Sequence, residues 1–248
     1  MLKVVGSVAI AVGGLAILPL LSPIPALVVL SFVGLWIAAV TMVYLSYVRG
    51  VQNDNIVQDI ILPVAVVVVG GTFLRFAAPG WVIPFATAGT AAMLPLAILC
   101  QVQKINPSYG PRRHWELLSQ VICYLIAFVL FVTVKRLGAP SFLSILAVGT
   151  VSSALAVEIF CWAGAERKRI GLYSVLTGVF LMETAWGLNF WALRGLTMGL
   201  LLLLFYYSAA GIAHHHLMGR LTSTMAMEFV AVAVIGSMLL YSFQPLAG

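Results

Sequence analysis

Residues 142–163 read FLSILAVGTVSSALAVEIFCWA, an apolar and small-residue run interrupted by a single carboxylate, Glu158. A helix needs about 20 such residues to cross a hydrocarbon core about 30 Å thick. Peptide groups carried into oil must bond within their own segment or within a closed barrel. Barrel strands alternate in polarity over segments of about 10 residues, whereas this run is continuously apolar, so it reads as a membrane-spanning helix.

Eight further runs of the same kind flank it. The spans are 4–21, 26–48, 56–76, 81–102, 117–134, 142–163, 170–191, 196–216 and 222–243. At 62% hydrophobic, 8% charged and a mean hydropathy of +1.11, the chain lies far from the roughly 45–50% apolar and 25% charged composition of soluble domains. The runs leave no room for an extramembrane domain, so residues 1–248 read as one all-α, polytopic transmembrane helical bundle. The first run exceeds the 7–15 apolar residues of a signal peptide, and it ends in the turn Ser22-Pro23-Ile24-Pro25. Arg75, Pro79 and Gly80 break the region between the third and fourth runs, where a re-entrant hairpin is the alternative.

Orientation follows from the basic residues. An inside N-terminus leaves Lys3, Arg49, Lys104, Arg112, Arg113, Arg167, Lys168, Arg169 and Arg220 in the cytoplasm and only Arg75, Lys135, Arg136 and Arg194 outside. The excess of basic residues on the first side predicts a cytoplasmic N-terminus and, with nine spans, an outside C-terminus. Trp81 and Trp191 then fall near the outer boundary, and Tyr47, Trp115, Trp162 and Tyr173 near the inner one. The net charge of +6 reflects this asymmetry and contact with anionic headgroups. The charge thus points to the lipid bilayer and not to nucleic acid, and other membrane subunits are the further partners expected of a chain with minimal loops and no motif. Cys100, Cys123 and Cys161 are widely spaced, odd in number and near the cytoplasmic side, so no disulfide framework is expected.

Two features predict close helix packing. Gly195 and Gly199 form a small-x-x-x-small pair, and Ala147, Gly149, Ser152, Ser153, Ala154 and Ala156 give the sixth span a small-residue face.

The candidate functional residues are polar groups at membrane depth: Glu158, Glu183, Asn189 and Glu228. A carboxylate at the bilayer centre costs about 2.5–3.5 kcal/mol or more, so each needs a partner or a purpose. The favoured reading is structural, with each glutamate hydrogen-bonded to a Ser, Thr or Tyr, or ion-paired near the interface. The second is a polar path for protons, ions or a small solute. Glu183 and Trp186 share a face of the seventh span, while Asn189 drifts away from it. A third reading groups Glu158 and Glu228 with His214 or His215 as ligands for a divalent metal. No Glu-x-x-His or His-Glu-x-x-His spacing supports that grouping, and no motif names a cofactor.

Asn53-Asp54-Asn55 and Asp59 follow the second span. Here the chain resembles the UbiA-like intramembrane prenyltransferases. That resemblance implies nine helices, an inside N-terminus, and acidic motifs in the second and sixth connections that hold a diphosphate through magnesium. Only Asn53-Asp54 follows the family pattern. The sixth connection offers Glu166 among basic residues, and the candidate headgroup or diphosphate contacts are Asp54, Asp59, Arg112, Arg113, Arg167, Lys168 and Arg169.

A second resemblance lies in the last third: Glu183, Trp186, Asn189, Tyr206, Tyr207, Gly211, His216, Gly219, Arg220, Leu221 and Glu228 are similar to a bacterial multi-spanning family known as a domain of unknown function. It implies a bacterial cytoplasmic-membrane protein and no particular chemistry. A non-catalytic subunit or assembly factor of a membrane complex is therefore expected, ahead of a small-solute, ion or proton transporter and of a lipid- or prenyl-modifying enzyme.

Overall fold

The computed structural model describes residues 56–76, 83–105, 112–136, 141–191, 193 and 195–242. The first two predicted spans, with Asp54, lie outside the described residues. Among those residues there are seven helices and no strand: α1 (Ile56–Phe76), α2 (Ile83–Ile105), α3 (Arg112–Arg136), α4 (Ser141–Cys161), α5 (Arg167–Asn189), α6 (Gly195–Leu217) and α7 (Ser223–Ser242). Five of them, α3 to α7, are long and apolar enough to cross a membrane.

Helix ends differ from the predicted spans where hydrogen bonding and hydropathy part company. The α3 helix starts at Arg112, five residues ahead of the predicted span at 117, because its first turn is polar but helix-compatible. Hydropathy marks the part of a helix in oil, not its hydrogen-bonded length. At the other extreme α4 stops at Cys161, and Gly164 takes a left-handed φ of +69° in the turn that follows, a conformation that costs glycine little.

Hydroxyl side chains inside these apolar helices are satisfied locally. The hydroxyls of Thr133, Thr150, Thr177 and Thr184 donate to the carbonyls of Val129, Leu146, Tyr173 and Phe180, each four residues back, at 2.6–2.8 Å. Such bonds let Thr and Ser sit at membrane depth without an external partner.

The chain forms two contact units, Met1–Ile126 and Ala127–Gly248. In the first, α1 packs against α2. Gly70 faces Thr90 there, and a β-carbon on Gly70 would lie 2.7 Å from the Thr90 Cγ2. Both helices run unbroken past a proline, Pro63 and Pro95. At 1.5 Å per residue their 21 and 23 residues span roughly 30 Å or more.

In the second unit α4 and α5 form the closest pair, α6 packs on both, and α7 packs on α6. The small-residue face of α4 meets α5. Gly149 lies under Met182, and Gly178 sits against Ser153 and the Gly149 carbonyl. Ser152, Ser174 and Thr177 are buried. Gly199 presses on Val132 of α3, with only 2.5 Å from a built β-carbon to Val132 Cγ2. The glycine pair of the eighth predicted span thus places Gly199 in a contact within the chain. Without a hydrophobic force between helices in lipid, such close backbone approach is what holds them together. Phe131 of α3 and Tyr206 of α6, both buried, meet edge to face at 6.3 Å between ring centres.

Candidate functional site

The three glutamates occupy different environments. Glu158, near the end of α4, is 0% exposed and engages neighbouring groups. Glu183 and Glu228 are exposed, on α5 and near the start of α7. None of the three lines either of the cavities described below.

Glu183 is set in an apolar stripe. Leu172, Val175, Leu176, Val179, Phe180 and Trp186 are all exposed on α5, and so is Phe190, the residue that follows its last turn. Their spacings of three and four residues trace one helix face, with Glu183 in line. Trp186 is 59% exposed, and its ring meets that of Phe190 edge to face at 5.6 Å.

The histidine run closes α6. The Gly219 amide donates to the His216 carbonyl (2.9 Å) and the Arg220 amide to the His215 carbonyl (3.0 Å), with Gly219 at φ +67°. These two bonds form a Schellman cap, which satisfies carbonyls a helix end leaves open. The next helix starts one residue past Thr222, whose hydroxyl accepts from the Met225 amide at 3.3 Å. Successive residues on a helix point about 100° apart, so the rings diverge. His214 is buried, His215 lies 5.9 Å from Phe229 of α7, and His216 lies 5.4 Å from Tyr173 of α5. Among the described residues no group of three His, Cys, Asp or Glu is placed to hold a metal ion. Glu158, His214, His215 and Glu228 are therefore not assembled into a metal site.

The basic candidates Arg113, Arg167, Lys168 and Arg169 are exposed. Arg112 and Asp59 fall in the first turns of α3 and α1. Cys100 and Cys123 are buried and carry thiols rather than a disulfide.

Described residues of the second unit line a cleft and a smaller cup. An open cleft of about 620 Å³ runs between α5, α6 and α7, lined mainly by apolar side chains with Tyr173, Thr177, Ser208 and His216 among them. The Ser208 hydroxyl donates across to the Phe229 carbonyl at 3.2 Å, tying α6 to α7. A smaller cup of about 360 Å³ sits where α3 and α5 end and α4 and α6 begin; its polar side chains are Lys135, Ser144 and Asn189. Of these only Asn189 stands out in the sequence as a candidate site residue. Lys135 reads there as a topological charge, and nothing in the sequence marks Ser144.

A family model described as protein of unknown function (DUF5656) matches residues 6–242. The chain belongs to this family. The DUF5656 match covers nearly all of the chain, well beyond the last third that carries the resemblance in the sequence, and it ends on the final residue of α7. No curated protein and no solved structure matches the chain.

Proposed function

We propose that this DUF5656 protein is a non-catalytic subunit or assembly factor of a complex in the bacterial cytoplasmic membrane, crossing it nine times with its N-terminus inside and its C-terminus outside. The carrying observation is Glu183, an exposed carboxylate in the middle of an exposed apolar helix face. Facing lipid, it would carry the cost of a polar group in hydrocarbon. Against a second membrane protein whose helix presents a Lys, Arg, Asn or Gln, the same group becomes a specific contact, and the aromatic and aliphatic residues around it supply the packing surface.

The topology draws support from the helices themselves. Consecutive packed helices joined by short turns run in opposite directions. The exposed Arg167, Lys168, Arg169 and Arg220 then share one side, and Lys135 lies on the other. The full-length α1 and α2 suit two crossings rather than a re-entrant pair.

The test is photo-crosslinking in native membranes from a reactive residue at Val179, with Val232 on α7 as the control position. We expect a protein adduct of defined mass from Val179 that Glu183→Leu abolishes. Lipid adducts alone from Val179, unchanged by Glu183→Leu, would rule the reading out.

A further inference from the structure

The cup at the ends of α3, α4, α5 and α6 has a composition that the subunit reading does not use. Among the described residues lining it, Lys135 is the one cation and none is acidic; Ser144 and Asn189 add a hydroxyl and an amide, and the remainder is apolar, including Phe131, Val148 and Leu202. Lys135 is half-buried there, and an anion beside its ammonium would make a charge-assisted hydrogen bond that the apolar walls cannot.

We propose that this cup binds a phosphate group. Three observations converge on that chemistry. The Lys135 ammonium and the Asn189 amide come from two different helices, α3 and α5, so hydrogen-bond donors can approach from more than one side, as a tetrahedral oxyanion with several free oxygens requires. Ser144 and Met198 lie near the starts of α4 and α6, and Lys135 and Asn189 at the ends of α3 and α5, so two positive and two negative helix ends offset one another and the net charge of the lining is that of Lys135. The volume of about 360 Å³ falls at the small end of ligand sites, which run from roughly 300 to 1,000 Å³; it holds a phosphate together with a short polar attachment.

Position points to the source. Lys135 is the next-to-last residue of α3 and Asn189 the last of α5, so the cup lies at the depth where helices leave the hydrocarbon and phospholipid phosphates reside. A phospholipid headgroup and free phosphate present the same oxyanion, and the experiment separates them.

The protein is exchanged in mild detergent with phosphatidylglycerol or phosphatidylcholine, and retained lipid is counted by native mass spectrometry. In parallel, inorganic phosphate is titrated against the thermal midpoint. We expect the wild type to retain phosphatidylglycerol about tenfold better than Lys135→Met, in line with loss of a charge-assisted hydrogen bond. Asn189→Leu, which leaves the charge in place, should fall between them and serves if Lys135→Met does not accumulate. Arg220→Gln removes a charge outside the cup and should match the wild type. If inorganic phosphate raises the midpoint of the wild type but not of Lys135→Met, and no lipid is selected, the site stands with free phosphate as its ligand. Equal lipid retention by all four proteins with no response to phosphate would overturn the proposal.

Discussion

Gly178 of α5 lies so close to Gly149 of α4 that a β-carbon on Gly178 would sit 2.6 Å from the Gly149 carbonyl oxygen and collide with the Ser153 hydroxyl. The carbonyl is backbone and cannot swing aside, so the two helices would have to separate. We expect Gly178→Ala to lower stability by about 1–3 kcal/mol, the usual cost of forcing an extra methyl into a filled contact. Gly171→Ala on the same helix, where a β-carbon meets nothing within 4 Å, should be neutral. Thermal unfolding of the two purified variants in one detergent checks the contrast.

A second close contact is open to rescue. A β-carbon on Gly199 would lie 2.5 Å from Val132 Cγ2 and 3.2 Å from the Val132 backbone nitrogen. Gly199→Ala should destabilise, and adding Val132→Ala should recover part of the loss, because shortening the valine relieves the side-chain clash but not the backbone one. A double-mutant cycle on thermal midpoints reads the coupling.

The hydrogen bond from the Ser208 hydroxyl to the Phe229 carbonyl joins α6 to an outlying helix of which few side chains are buried. Ser208→Ala is expected to cost about 0.6 kcal/mol, the average for interhelical bonds in a membrane. The effect should appear as faster proteolysis or hydrogen exchange in α7 before any change elsewhere.

Glu158 has no exposed surface. Glu158→Gln keeps its shape and most of its hydrogen-bonding capacity, and should accumulate in membranes at near wild-type level. Glu158→Lys places a longer side chain and a cation in the same enclosed space, and should abolish accumulation, since a buried charge without a counter-charge typically costs about 3–5 kcal/mol. Quantitative blotting of membrane fractions compares the two. The same pair of substitutions at the exposed Glu228 should differ far less.

The helices were legible in the sequence to different depths. The predicted span 56–76 coincides with α1, and the spans at 196–216 and 222–243 agree with α6 and α7 to within a residue at each end. The beginning of α3 and the end of α4 were missed because hydropathy senses transfer into oil, while a helix continues or stops according to its backbone bonds. The small-residue face of α4 was visible as a packing surface, but its partner was not. Gly178 is one glycine among 22, and nothing in its neighbours marks it as the one that touches Gly149.

Candidate site residues separated along the same line. Glu158, Glu183 and Glu228 look equivalent as single carboxylates in apolar runs, yet one is enclosed and two face outward. When a helix is apolar on every side, no polar stripe records which side turns inward, so rotation about the helix axis has to come from packing. Lys135 reads in the sequence only as a topological charge, and Ser144 carries no signal there, for the related reason that their meeting with Asn189 joins positions more than forty residues apart along the chain.

The sequence alone determined that this chain is a set of apolar helices made for a membrane, because the cost of unpaired peptide groups in oil is local and can be read residue by residue. Tertiary structure alone decided which glycines meet, which glutamate is enclosed and which polar groups share the cup. Those outcomes depend on the fit of surfaces distant in the chain, and the energy of that fit resides in the pair rather than in either helix.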